Sequence, residues 1–116
     1  MAAVATTAKD HFTNIVEYTG ATMDSLDDWF EVPAQSSSYT FAAKVTGTAN
    51  FKLALECSFN GNGTWFTIDT AKTINSAGEY VYFYDAQVAS RIRMRISQVD
   101  SGTPDVVPHI AVAYHG

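Results

Sequence analysis

Apolar and polar residues alternate without a break over residues 50–59. Phe51, Leu53, Leu55, Cys57 and Phe59 fall on one side, and Asn50, Lys52, Ala54, Glu56 and Ser58 on the other. Successive side chains of a strand point to opposite faces, so this spacing predicts one core-facing side and one mainly polar side. Asn60-Gly61-Asn62-Gly63 follows, and Asn and Gly accept the positive φ of a hairpin turn. Trp65, Phe66 and Ile68 then suit a returning strand over residues 64–70. Together these stretches predict a long antiparallel hairpin whose apolar face is half of a sandwich core.

The same period recurs along the chain. Residues 12–18 form a first short strand, and residues 29–32 a second that Pro33 closes by removing a backbone donor. Over residues 39–46, Tyr39, Phe41, Ala43 and Val45 alternate with Thr40, Ala42, Lys44 and Thr46. Over residues 79–84, Tyr80, Tyr82 and Tyr84 share one face and Val81 and Phe83 the other, which predicts a strand covered on both sides. Ile92, Met94 and Ile96 alternate with Arg91, Arg93 and Arg95, and residues 106–115 make the last strand. Turn residues separate the runs, residues 71–77 read as a polar link, and no amphipathic helical period intervenes. The pattern predicts an all-β chain: a single antiparallel β-sandwich or jelly roll of about eight strands, residues 12–116. Residues 1–11 lack either period and read either as a frayed terminus or as an extended N-terminal arm that orders on a neighbouring subunit or the surface beneath.

Composition narrows the function classes. A chain of 116 residues is one domain. Only 16% of it is charged, which suits a surface partly hidden in contacts. The net charge of −5 argues against a binder of nucleic-acid backbone, which needs a basic field. The single cysteine, Cys57, sits on the inward phase and reads as a small core residue. The start of the sequence shows no charged-then-apolar leader, and no apolar run reaches the length of a membrane span. The expectation is synthesis in a cytoplasm and no membrane partner.

Candidate chemistry is sparse. His11, His109 and His115 have no ligand spacing with one another or with Cys57, so no metal is expected. No serine sits in a nucleophile elbow. Asp24, Asp27, Asp28 and Glu31 cluster in and beside one loop, without the rigid cleft that a carboxylate pair needs for glycosidic chemistry. No catalytic residue and no cofactor is assigned. Arg91, Arg93 and Arg95 form a basic row in an acidic protein, and arginine's planar fork favours interfaces. These three residues, with Asp24, Asp27 and Asp28 as the acidic surface of a neighbouring subunit, are the candidate partner interface. Trp65, Phe66, Tyr80, Tyr82 and Tyr84 read as core or inter-subunit filling rather than as a sugar platform.

Three stretches carry a resemblance. They are Trp29-Phe30-Glu31-Val32-Pro33, residues 39–47, and the hairpin from Leu53 through Ser58-Phe59-Asn60-Gly61-Asn62-Gly63-Thr64-Trp65. With Gly78-Glu79-Tyr80 and Arg91-Ile92-Arg93-Met94-Arg95, they resemble small β-sandwich virion proteins of tailed bacteriophages. That family's pattern has Asp where Asn60 stands here, which argues further against a metal in the turn. The resemblance implies a non-enzymatic capsid decoration, or cement, protein that binds the major capsid protein on the outer lattice as a homotrimer. It places the protein on the virion surface. The same outline also serves carbohydrate- or receptor-binding modules of tail fibres, which is the alternative expectation.

Overall fold

The computed structural model describes residues 6–10, 15–34, 38–59, 63–85 and 89–113. Among these residues ten strands are formed, all pairing antiparallel: β1 (Thr6–Asp10), β2 (Ile15–Thr19), β3 (Trp29–Pro33), β4 (Ser38–Val45) and β5 (Asn50–Ser58), then β6 (Phe66–Thr67), β7 (Lys72–Ile74), β8 (Gly78–Asp85), β9 (Arg91–Ser101) and β10 (Val106–Ala113). One sheet has the order β1-β2-β10-β4-β8. The other runs β3-β9-β5-β6, with β7 also beside β5. From β2 onward the chain crosses between sheets at nearly every connection. Strands β3, β4, β9 and β10 alternate between buried and less buried positions over most of their length, β5 is buried over most of its own, and the two facing sheets bury their apolar sides together. This is the jelly-roll arrangement, with β1 added at the edge of one sheet.

The alternation read from sequence places the core. Phe41 and Ile110 from one sheet meet Phe30, Phe51, Leu53, Leu55, Ile92, Met94 and Ile96 from the other, and all are fully buried. The inner face also takes Tyr39, Ala43, Val45, Val106 and Val112. Tyr39, Phe41 and Tyr84 pack edge-on and tilted, with ring centroids 5.7 to 6.1 Å apart. Such aromatic pairs add stability beyond their buried area. Gly20 ends β2 where the chain presses on the core. A Cβ there would lie 2.7 Å from a Phe30 ring carbon and 2.8 Å from Pro108. Its N–H donates to Pro108 O at 2.9 Å.

The structure differs from the sequence reading in five places. Phe59, expected in the core, is 59% exposed, because strand pairing of β5 ends at Ser58. The long returning strand is two residues, Phe66–Thr67, after which Asp69 turns the chain at a φ of 60°. The stretch expected to be a polar link holds β7, whose Ile74 is fully buried. Within the expected N-terminal arm, Thr6–Asp10 is a strand paired with β2; residues 1–5 and 11 lie outside the described residues. Finally, β8 is covered on one side only. Tyr80, Tyr82 and Tyr84 pack on the core, while Val81 and Phe83 face outward, exposed. Residues 12–14 of the first expected strand, turn residues 60–62 and His115 also fall outside the described residues.

Leu53 and Leu55 sit fully buried at the centre of the β5–β9 ladder, opposite Ile96 and Met94. Truncating either to Ala should cost about 2–5 kcal/mol in urea denaturation, through lost transfer energy and the cavity left behind. A cost below about 0.5 kcal/mol for both, the range of surface changes, would contradict this packing.

Candidate functional site

The pairing that fills the core also sets an ionic cluster on the opposite face of the same sheet. Glu56 of β5 lies opposite Arg93 of β9 and next to Arg95. The alternation that turns Leu55 and Cys57 inward turns Glu56 outward, yet its side chain is only 6% exposed. Arg93 Nε and Arg95 Nε donate to Glu56 Oε1 at 2.8 and 3.0 Å, and Arg95 Nη2 donates to Oε2 at 3.2 Å. The Arg93 guanidinium carbon is 4.1 Å from the Trp65 ring centroid, so the indole stacks on the charge and screens it from water. Arg91 pairs with Glu31 across the β3–β9 ladder.

The acidic loop before β3 closes the other end of the cluster. Asp27 adopts a φ of 67°, a left-handed value that Asp tolerates better than most residues. Its N–H donates to Ile96 O at 2.8 Å. The Asp28 carboxylate is buried and accepts the amides of Asp24 and Ser25 at 3.0 and 3.1 Å, which ties the loop to itself. Asp27 is thereby held against Arg95, whose Nη1 donates to Oδ1 at 2.7 Å.

The arginine row therefore faces outward, as the alternation requires, but it meets its carboxylates within one chain. Arg93 and Arg95 have Glu56 and Asp27, and Arg91 has Glu31. The sequence reading paired Arg91, Arg93 and Arg95 with Asp24, Asp27 and Asp28 of a neighbouring subunit. The structure brings Arg95 and Asp27 together intramolecularly, turns Asp28 into its own loop and leaves Asp24 exposed. The physical reason is Glu56, a carboxylate that burial forces to find its cations close at hand. The signal for it was present: an outward Glu on the strand beside an Arg-x-Arg strand.

Nothing in the cluster is poised for proton transfer. Burial pushes the Glu56 carboxyl up, but hydrogen bonds from Arg95 and Arg93 and their charges outweigh it, leaving it below the ordinary carboxylate range. Burial and the nearby Glu56 charge push the Cys57 thiol up, away from the reactive thiolate. Burial in the core pushes Tyr39 up to about 12. Among the described residues no three His, Cys, Asp or Glu side chains gather as a metal site.

The remaining distinctive features are on the surface. Phe59 and Phe66 flank the β5–β6 turn with ring centroids 5.3 Å apart, and about half of each side chain faces water. On the outer face of the other sheet, a shallow hollow of about 250 Å³ lies over Ala42, Lys44, Glu79, Val81, Glu17 and His109. His109 Nδ1 is 3.1 Å from Thr19 Oγ1, and its buried Nε2 has no hydrogen-bond partner among the described residues. Of the aromatics expected to be filling, Tyr80, Tyr82 and Tyr84 do pack on the core, Trp65 covers Arg93, and Phe66 is exposed.

No protein-family model matches the chain, and no curated protein matches it. Among solved structures, the cupin_2 domain of an XRE-family transcriptional regulator from Enterobacter cloacae is similar at 13% identity and a TM-score of 0.48, over 100% of both chains. Nothing about the activity of the present chain follows from a likeness of that degree.

The Glu56 cluster gives stability a direction with pH. A carboxyl whose folded pKa is depressed stabilises the fold above its unfolded value, near the ordinary 4.5, and that contribution is lost as pH falls through the folded value. Glu56→Gln should therefore lower stability at pH 7 by about 1–3 kcal/mol. The variant should also lose less stability than the wild type between about pH 5 and pH 3. Urea denaturation over that range checks both; parallel pH profiles would contradict the assignment.

Proposed function

We propose that this chain is a non-enzymatic structural protein of a phage virion, a capsid decoration protein that binds and stabilises the outer capsid lattice. The observation that carries the reading is the exposed Phe59–Phe66 pair beside a sandwich whose interior is filled. Two large aromatics left in water at a turn, where the fold gains nothing from their exposure, mark a contact surface. A filled interior directs function to the outside of the molecule. The likeness of the hairpin, the Gly-x-Tyr strand and the Arg-x-Arg strand to tailed-phage virion proteins supports a shell as the surface bound. Decoration takes place on the virion, after synthesis in the host cytoplasm, and the partner is the major capsid protein. The low charged fraction of 16% suits a protein that functions in contact with others.

The same aromatic pair favours one second reading, a carbohydrate-binding module of a tail fibre, because exposed rings also stack on sugars. One variant separates the two. Phe59→Ser with Phe66→Ser should leave the fold intact and abolish co-pelleting with expanded capsid shells, which the wild type should show at micromolar concentration. Wild-type protein that ignores shells but gives reproducible glycan-array hits, lost in the same variant, would establish the second reading instead.

A further inference from the structure

The jelly roll leaves four strand edges, and three of them are guarded. Strand β1 carries Lys9 and Asp10, β3 ends in Pro33, and the edge beside β5 is broken into the two-residue β6 and three-residue β7. Charge, proline and shortness are the usual devices that stop an edge from pairing with another chain. The fourth edge, β8, has neither proline nor shortness, and its charges lie near its two ends, outside the central run of residues 80–84. It is eight residues long, Gly-Glu-Tyr-Val-Tyr-Phe-Tyr-Asp, with charges only at Glu79 and Asp85. Its ladder with β4 runs unbroken from Ser38↔Asp85 to Val45↔Gly78, so no bulge twists it away. Among the described residues it pairs with β4 alone.

We propose that the open edge of β8 is an interface with a second copy of this chain, the two β8 strands pairing antiparallel about a twofold axis at Tyr82. The sequence of the strand argues for this occupant. In twofold pairing residue i of one copy meets residue j of the other and j meets i, so residues placed symmetrically about the axis must suit each other, and Tyr80-Val81-Tyr82-Phe83-Tyr84 sets Val against Phe and Tyr against Tyr about its centre. In that register Val81 of each copy lies opposite Phe83 of the other on the outward face, and Tyr80 lies opposite Tyr84 on the inward face. Val81 and Phe83 are 49% and 76% exposed in the single chain, and each pair would cover the other copy's exposed side chain. Aromatic–β-branched pairs of this kind are among the favourable cross-strand contacts.

The strand is already held in place for the contact. Tyr80 donates its hydroxyl to Ser76 O at 2.7 Å, and Lys72 Nζ lies 5.2 Å from the Tyr82 ring centroid. Preorganisation of this sort lowers the ordering cost of association. Two joined edges with their Val81 and Phe83 side chains make a small contact beside the roughly 1,200–2,000 Å² of a standard specific interface. The copies also carry −5 each. The dimer is therefore modest in strength, and added salt tightens it by screening that repulsion. A twofold dimer differs from the threefold assembly that the virion resemblance implies, and the inference stands apart from shell binding.

The test uses the purified chain alone. Sedimentation equilibrium from about 1 to 500 μM should show a monomer of 12.6 kDa passing to a mass twice that, with no larger species. The association constant should rise several-fold from about 20 to 500 mM NaCl. Phe83→Lys and Val81→Lys, both at exposed positions, should each weaken it about ten-fold or more while thermal unfolding stays cooperative. Amide exchange over residues 78–85 should slow as concentration rises, which a merely sticky outer face would not cause. Four outcomes would each overturn the proposal: a monomer throughout, a trimer indifferent to both substitutions, open-ended fibres, or a dimer whose β8 amides exchange at an unchanged rate.

Discussion

The β5–β9 ladder is the pairing on which the rest of this molecule depends. It is the central junction of its sheet, and its largest side chains divide between two jobs. Phe51, Leu53, Leu55, Ile92, Met94 and Ile96 face the other sheet and are removed from water almost completely. Burial of this kind is the largest favourable term in folding. Glu56, Arg91, Arg93 and Arg95 emerge between them on the far side, where side-chain period two leaves no alternative. A shift of one residue in register would exchange the two sets, placing arginines in the core and leucines in water. The ladder is thus specified by both faces at once: apolar burial on one, matched charges on the other.

Consequences spread outward from Glu56. A nearly buried, ionised carboxylate is costly unless it is paired and hydrogen-bonded, and the Arg93 and Arg95 Nε–H groups from β9 meet that need. Arg95 then has a second fork arm to offer, and Asp27 takes it through a left-handed turn. Arg93 presents its flat face to Trp65, which anchors the segment between Gly63 and β6 over the sheet. Two loops distant in sequence are thereby fixed by one carboxylate. Within the chain the cluster pairs Arg91, Arg93 and Arg95 with Glu31, Glu56 and Asp27, and leaves Asp24 exposed.

How far the sequence foretold this divides along physical lines. Strand identity and core membership over β3, β4, β5, β9 and β10 were legible, because an alternating run that buries one face can satisfy itself in only one way. Phe59 was misplaced because alternation carries no information about where a ladder ends. Residues 72–74 were missed because three residues are too few to show a period, although Ile74 fills the core. The partners of the arginines were missed for a different reason. Charge pairing depends on which strands become neighbours, and period two says nothing about strand order. The Arg95–Asp27 contact spans 68 residues and exists only once β3, β9 and β5 lie side by side.

Strand β8 shows the limit of such reading most sharply. A strand apolar on both faces ordinarily lies inside a protein, covered twice. Here Tyr80, Tyr82 and Tyr84 satisfy the first covering, and among the described residues nothing covers Val81 and Phe83 on the outward face. The sequence therefore describes an interior strand while the topology puts it at an edge. That mismatch cannot be relieved by repacking, because the tyrosine face already has its place on the core. It can be relieved by another strand laid against the open side, covering Val81 and Phe83 and taking up the unpaired backbone groups together. An eight-residue edge that is neither short nor broken by proline, with an exposed apolar outward side and charges only near its ends, is the surface on which the proposed pairing with a second copy rests.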